Sequence, residues 1–104
     1  MDVNSYYENY NAILMLRELA DKITYKIIIS IDSAKTACQI CEENKIPLSS
    51  TYKKIQKLYN AGLLSIEGII IDRKGKKVLF YRSQIKSLEV NLNNEGLLLQ
   101  LNRK

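Results

Sequence analysis

Two clusters of side chains in this sequence have the types and spacing to engage a polyanion. The first is Ser49, Ser50, Tyr52, Lys53, Lys54, Gln56 and Lys57; the second is Arg73, Lys74, Lys76 and Lys77, and Lys35 lies upstream of both. Hydroxyl and amide groups can exchange hydrogen bonds with base edges, while ammonium and guanidinium groups meet phosphate oxygens. Thr51, Ile55, Leu58 and Gly62 recur at four, three and four, the mark of a buried helical stripe, and Ser50, Lys53, Lys57 and Asn60 fall opposite, flanked by Lys54 and Gln56. A solvated lysine face on an ordinary surface helix has the same pattern, and judged alone it is the commoner case.

Other chemistry is thinly supplied. The chain has no histidine, and its only cysteines are Cys38 and Cys41. Two thiolates on one helix fall short of the four ligands of a zinc site, and no further Cys or His can complete it. Cys41 sits at a small apolar position, where a free cysteine packs as a small hydrophobe. Packing is therefore the expected role of the pair, with metal binding and thiol sensing as the alternatives. No phosphate-binding glycine loop or nucleophile elbow occurs, and no motif joins two candidate acid and base groups, so no catalytic residue, metal or cofactor is expected.

Charge adds a second line of argument. The net charge of +5 is unevenly placed: residues 45–86 hold ten cations against Glu67 and Asp72, a net +8, whereas residues 1–44 carry −3 and residues 87–104 none. Segregation onto the two clusters is the footprint of a phosphate-binding face, since random surface charge would spread along the chain.

The elements that must hold these groups can be read in order. At 104 residues, 46% hydrophobic and 26% charged, one globular domain over 1–104 is expected, and no apolar run is long enough to span a bilayer. The N-terminus has neither the basic nor the apolar region of a secretory signal, so a cytoplasmic location is expected. Ser5 to Ala20 has helical spacing, with Tyr6, Tyr10, Ile13 and Leu14 left over as apolar surface that either covers the domain or packs on a second copy. Tyr6, Tyr7 and Tyr10 are read as packing residues. Asp21 to Ile31 is expected as a helix despite its β-branched run, with Ile23, Ile27, Ile28 and Ile31 inward. A third helix follows an N-cap at Asp32 or Ser33, carries Ala37, Ile40 and Cys41 on one stripe, and ends near Asn44 or Lys45. Pro47 forces a fresh start, with Ser49 as N-cap of the helix that carries the first cluster.

Gly62 is placed to end that helix in the left-handed conformation, with Leu63 packing back. Two strand-like runs, Leu64 to Ile71 and Lys76 to Tyr81, flank the charged turn Asp72-Arg73-Lys74-Gly75. Leu88 to Leu92 and Leu97 to Leu101 alternate strictly about Asn93-Asn94-Glu95-Gly96, which predicts a C-terminal hairpin over 85–102. Its Leu88, Val90 and Leu92 share a face with Leu97, Leu99 and Leu101.

IPLSSTYKKIQKLYNAGLL followed by GKKVLFYRS resembles the turn, recognition helix and wing of the winged helix-turn-helix transcription regulators of bacteria and archaea, most closely the small ArsR-like archaeal ones, over residues 20 to 83. The resemblance implies an α+β fold: a winged helix-turn-helix with an extra N-terminal helix, a helix-turn-helix at 33–62, a two-stranded basic wing at 63–83 and, beyond the family pattern, the C-terminal hairpin. It also implies that the N-terminal helix contributes to a homodimer. The expected function is sequence-specific binding of double-stranded DNA by a transcription regulator, with helix 49–61 in the major groove. Ser49, Ser50, Lys53 and Lys54 are expected to include the base-reading contacts. Lys57 and the wing cations Arg73, Lys74, Lys76 and Lys77 are expected on the backbone or minor groove; Lys35, Tyr52 and Gln56 complete the candidate set. The alternative is a winged-helix protein-pairing module without sequence-specific DNA binding.

Overall fold

A computed structural model describes residues 4–104, so residues 1–3 of the expected domain lie outside the described residues. The architecture is α+β. In chain order the elements are β1 (Asn4–Glu8), α1 (Asn9–Leu19), α2 (Lys22–Ser30), α3 (Ala37–Asn44), α4 (Leu48–Asn60), β2 (Leu64–Ile71), β3 (Lys77–Ser83), β4 (Ile85–Asn93) and β5 (Gly96–Arg103). They build two antiparallel sheets, one in the order β1-β5-β4 and one a β2-β3 ribbon. Among the described residues no helix is long and apolar enough to cross a membrane.

The N-terminal segment corrects the expectation of a helix from Ser5. Residues Asn4–Glu8 are a strand on the edge of β5, with Tyr7 opposite Leu99 and Tyr6 opposite Gln100. Tyr7 thus packs toward the core and Tyr6 points to solvent, the alternation of a strand. The chain converts to helix at Asn9, which takes a positive φ of 49° and accepts a hydrogen bond from the Leu97 amide at 3.2 Å.

The isoleucine-rich run is helical as expected. Asp21 caps α2 by accepting the Thr24 amide at 3.0 Å, and Ile27 and Ile31 are fully buried. The next cap departs from expectation. Thr36, not Asp32 or Ser33, closes a capping box in which Thr36 Oγ1 accepts the Gln39 amide at 3.2 Å while Gln39 Oε1 accepts the Thr36 amide at 2.9 Å. Asp32 is engaged elsewhere, its carboxylate on Lys104 and its carbonyl on Arg82. Lys45, at φ 55°, ends α3 in the left-handed region, and Ile46 donates back to the Cys41 carbonyl.

Pro47, rather than Ser49, occupies the N-cap of α4. Its carbonyl accepts both the Thr51 amide at 3.1 Å and the Thr51 hydroxyl at 2.9 Å, so no side-chain cap is used. Gly62 behaves as expected. It has φ +74° and donates to Tyr59, while Leu63 donates to Leu58, the pair of bonds that defines a Schellman ending. Leu63 is fully buried as a result.

The core gathers Ile27, Ile31, Ile40, Leu58, Leu63, Leu99 and Leu101, all inaccessible to solvent. The C-terminal hairpin pairs Leu88 with Leu101, Val90 with Leu99 and Leu92 with Leu97, which puts these six side chains on one face. Full burial of a leucine, as at Leu99 and Leu101, contributes about 1.5–3 kcal/mol.

Candidate nucleic-acid interface

Helix α4 owes its orientation to three fully or almost fully buried residues, Thr51, Ile55 and Leu58. Opposite them Ser49, Lys53, Gln56, Lys57 and Asn60 are exposed, and Ser50 is half-buried at the side. Gln56 Nε2 donates to Asn60 Oδ1 at 3.0 Å, which fixes the amide one turn from the helix end. Lys53 and Lys57 have no ion-pair partner among the described residues. Asn60, outside the candidate set drawn from sequence, belongs to this face.

Two candidate lysines have other engagements. Lys54 turns toward the core side of α4, where Nζ lies 3.4 Å from Asp21 Oδ2 and 3.8 Å from Glu18 Oε1. The Asp21 carboxyl is held below its ordinary range, first by the Thr24 amide and then by Lys54. Lys35 exchanges backbone hydrogen bonds with Tyr81 and places Nζ 2.7 Å from Glu43 Oε2. Lys54 joins the helices and Lys35 anchors the ribbon; neither cation is free.

The second cluster is held by the turn of the β2-β3 ribbon. Asp72 Oδ1 accepts the amides of Lys74 at 2.8 Å and Lys76 at 2.9 Å, and the Asp72 amide donates to the Lys76 carbonyl. Gly75 supplies the positive φ of 81° that closes the turn. Arg73, Lys74, Lys76 and Lys77 are therefore displayed together, all exposed and without an ion pair among the described residues. Of the ten cations between residues 45 and 86 only Lys54 and Arg82 are ion-paired among the described residues, Arg82 to Glu67 at 3.3 Å.

Between α4 and the ribbon runs a cleft of about 350 Å³ walled by Cys38, Leu48, Tyr52, Val78, Leu79 and Tyr81, with Lys76 and Lys77 at its edge. Tyr52 is 49% exposed on the wall, whereas Tyr81 is buried, and burial pushes its phenol above the ordinary value, with Tyr52 adding to the shift. Leu48 was not singled out from sequence. Its signal was available in the helix phase once Pro47, and not Ser49, is taken as the cap. Cys38 is exposed and Cys41 half-buried, so the two thiols are unequal in access. Among the described residues no group of three or more His, Cys, Asp or Glu side chains is placed to hold a metal.

Compared with protein-family models, curated proteins and solved structures, the chain finds no match in any of the three.

Proposed function

We propose that this chain is a sequence-specific double-stranded DNA-binding transcription regulator of the winged helix-turn-helix type, acting in the cytoplasm. In this reading α3 and α4 are the helix pair and the β2-β3 ribbon is the wing. The observation that carries it is the separation of free from satisfied charge. Among the described residues Lys53 and Lys57 on α4 and the four cations of the ribbon turn lack carboxylate partners, while five acids in the rest of the fold have cationic ones. A face of unpaired cations is costly by self-repulsion unless an anion meets it. A major groove about 12 Å wide admits a helix, so Ser49, Ser50, Lys53 and Gln56 would face base edges while Lys57 and the turn meet phosphates. Lys54 and Lys35 leave the contact set and act by holding α4 and the ribbon in place.

Selection of bound sequences from a random duplex pool, followed by salt titration of the best site, tests the proposal. An enriched site whose log affinity falls linearly with log salt is expected, with a slope of about −0.9 per phosphate neutralised. No enrichment over the input pool, with binding that is equally weak on every duplex, would remove the regulator reading. The half or more exposed run Ile69, Ile70 and Ile71 on β2 favours the second reading, a protein-pairing module, because a solvated strand edge of this kind can accept another strand.

A further inference from the structure

The cleft between α4 and the ribbon takes no part in the DNA reading except at its edge. Its wall joins Leu48 and Tyr52 of α4 to Val78, Leu79 and Tyr81 of β3 around about 350 Å³. Leu48 and Tyr52 are both close to half exposed, so apolar surface is left open there. Tyr81 is only 7% exposed and its phenol oxygen has no hydrogen-bond partner among the described residues, yet no buried side-chain oxygen among them is left unsatisfied. That oxygen is therefore the part of Tyr81 that reaches open space, and the cleft is the space that Tyr81 lines. Tyr52 stands near enough to add to the upward shift of the Tyr81 phenol, so two hydroxyls converge on one opening. Lys76 and Lys77 at the edge have no ion pair among the described residues. The carboxylate beside them, Asp72, already accepts two amides on Oδ1.

We propose that this cleft binds a small aromatic carboxylic acid, with its ring against Tyr52 and the β3 side chains and its carboxylate on Lys76 and Lys77. An apolar wall with a few polar groups that fix orientation is the ordinary make-up of a small-molecule site. Charge selects an anion: two lysines against one carboxylate leave a single positive charge at the edge, which a monoanion neutralises. The phenols add neutral donors that a carboxylate can accept. The half-exposed Tyr52 ring favours a flat aromatic body over an alkyl chain. Size sets the rest. At about 30 Å³ for each water-sized group the cleft takes about a dozen non-hydrogen atoms, the bulk of one or two fused rings with an acid group. The site itself does not rest on DNA binding. One consequence does: in the DNA reading the same two ammonium groups meet phosphate, so acid and duplex would exclude each other, and the acid would act as an effector.

Titration of the full chain with 2-naphthoate, without DNA, tests the site. The chain has no tryptophan, so the emission of the probe can be followed directly. Saturable one-to-one binding with a Kd below about 1 mM is expected. The uncharged 2-naphthamide, of the same shape, should bind about tenfold more weakly or worse. Lys76→Met combined with Lys77→Met should weaken the acid by about as much and the amide little. Lys22→Met combined with Lys86→Met removes the same charge from exposed positions elsewhere and should change neither. Cys38 lies on the cleft wall and reports occupancy: in a Cys41→Ala background, saturating 2-naphthoate should slow its alkylation by N-ethylmaleimide. Absence of saturable binding overturns the site and leaves the DNA reading standing. Equal affinity for acid and amide, full affinity in the Lys76 and Lys77 double variant, or Cys38 alkylation unmoved by bound probe overturns the site as well. Duplex binding at the selected site that ignores saturating 2-naphthoate overturns the effector role alone.

Discussion

Lys54 Nζ lies 3.4 Å from Asp21 Oδ2, and this contact ties the middle of α4 to the cap of α2. The same Asp21 carboxylate accepts the Thr24 amide, so one side chain both starts a helix and receives a cation from another. Its folded pKa is lowered, which means that the stabilisation is present above the ordinary carboxyl value of 3.8 and is lost as the pH falls through the lower folded value. Asp32, lowered by the Lys104 contact, behaves the same way. The melting temperature of the wild type should therefore fall below about pH 4. Asp21→Asn should flatten that fall, as followed by circular dichroism; an unchanged pH profile would show that the contact has no thermodynamic weight.

The helix and ribbon cations are expected to separate in one titration set. Lys53→Ala should cost about 1–3 kcal/mol on the selected site and little on other duplexes, because it faces base edges. Lys76→Ala should weaken all sequences alike and reduce the salt slope by about one unit. Lys54→Ala should leave sequence preference unchanged and act instead on stability. If Lys53→Ala and Lys76→Ala both leave duplex binding as it was at moderate salt, the pairing module takes the place of the regulator.

Gly62→Ala puts a side chain at φ +74°, where an L-residue costs about 1–2 kcal/mol. The added Cβ would also stand 3.4 Å from Arg103 Nη2, whose Nε donates to the Gly62 carbonyl at 3.2 Å. Urea denaturation should register a loss of at least about 1 kcal/mol with an unchanged slope. Wild-type stability in that variant would mean that the ending of α4 relaxes without cost.

The thiols are expected to be dispensable. Cys38→Ser, at an exposed position, should change stability by no more than about 0.5 kcal/mol. Cys41→Ala, half-buried, should cost about 1 kcal/mol or less. Neither should alter duplex affinity. Stoichiometric zinc uptake by the wild type, lost in the double variant, is the result that would assign the pair a chemical role.

Much of this architecture was legible because local signals carried it. Gly62 followed by Leu63 announces a helix end, Asp72 to Gly75 a tight turn, and the alternation of Leu88 to Leu101 a hairpin, each within fourteen residues. Strand β1 was not legible. Tyr6, Tyr10, Ile13 and Leu14 satisfy helical spacing, and only pairing with β5 at the far end of the chain makes Asn4–Glu8 extended. The caps were misread because serine and aspartate have the right chemistry, whereas Thr36 wins through its reciprocal bond with Gln39 and Pro47 through its carbonyl. Lys35 and Lys54 read as free cations for a related reason. Glu18 and Asp21 reach Lys54 only through the packing of α4 on the start of the chain, and Glu43 reaches back along α3 to Lys35, contacts that the spacing of the cations does not encode.

The reciprocal bonds between Lys35 and Tyr81, 3.0 and 2.8 Å long, form an isolated bridge that joins the approach to α3 to the middle of β3. From Tyr81 out to Gly75, at about 3.3 Å per residue, the ribbon is a lever of about 20 Å. A tilt of about 6° at that fulcrum would carry the ammonium groups at the far end through about 2 Å, more than the whole working range of a hydrogen bond. The aim of the cationic tip is therefore set at the peptide groups of Lys35 and Tyr81 rather than at the tip itself. A substitution beneath Tyr81 could redirect the ribbon while every charged side chain on it remained in place.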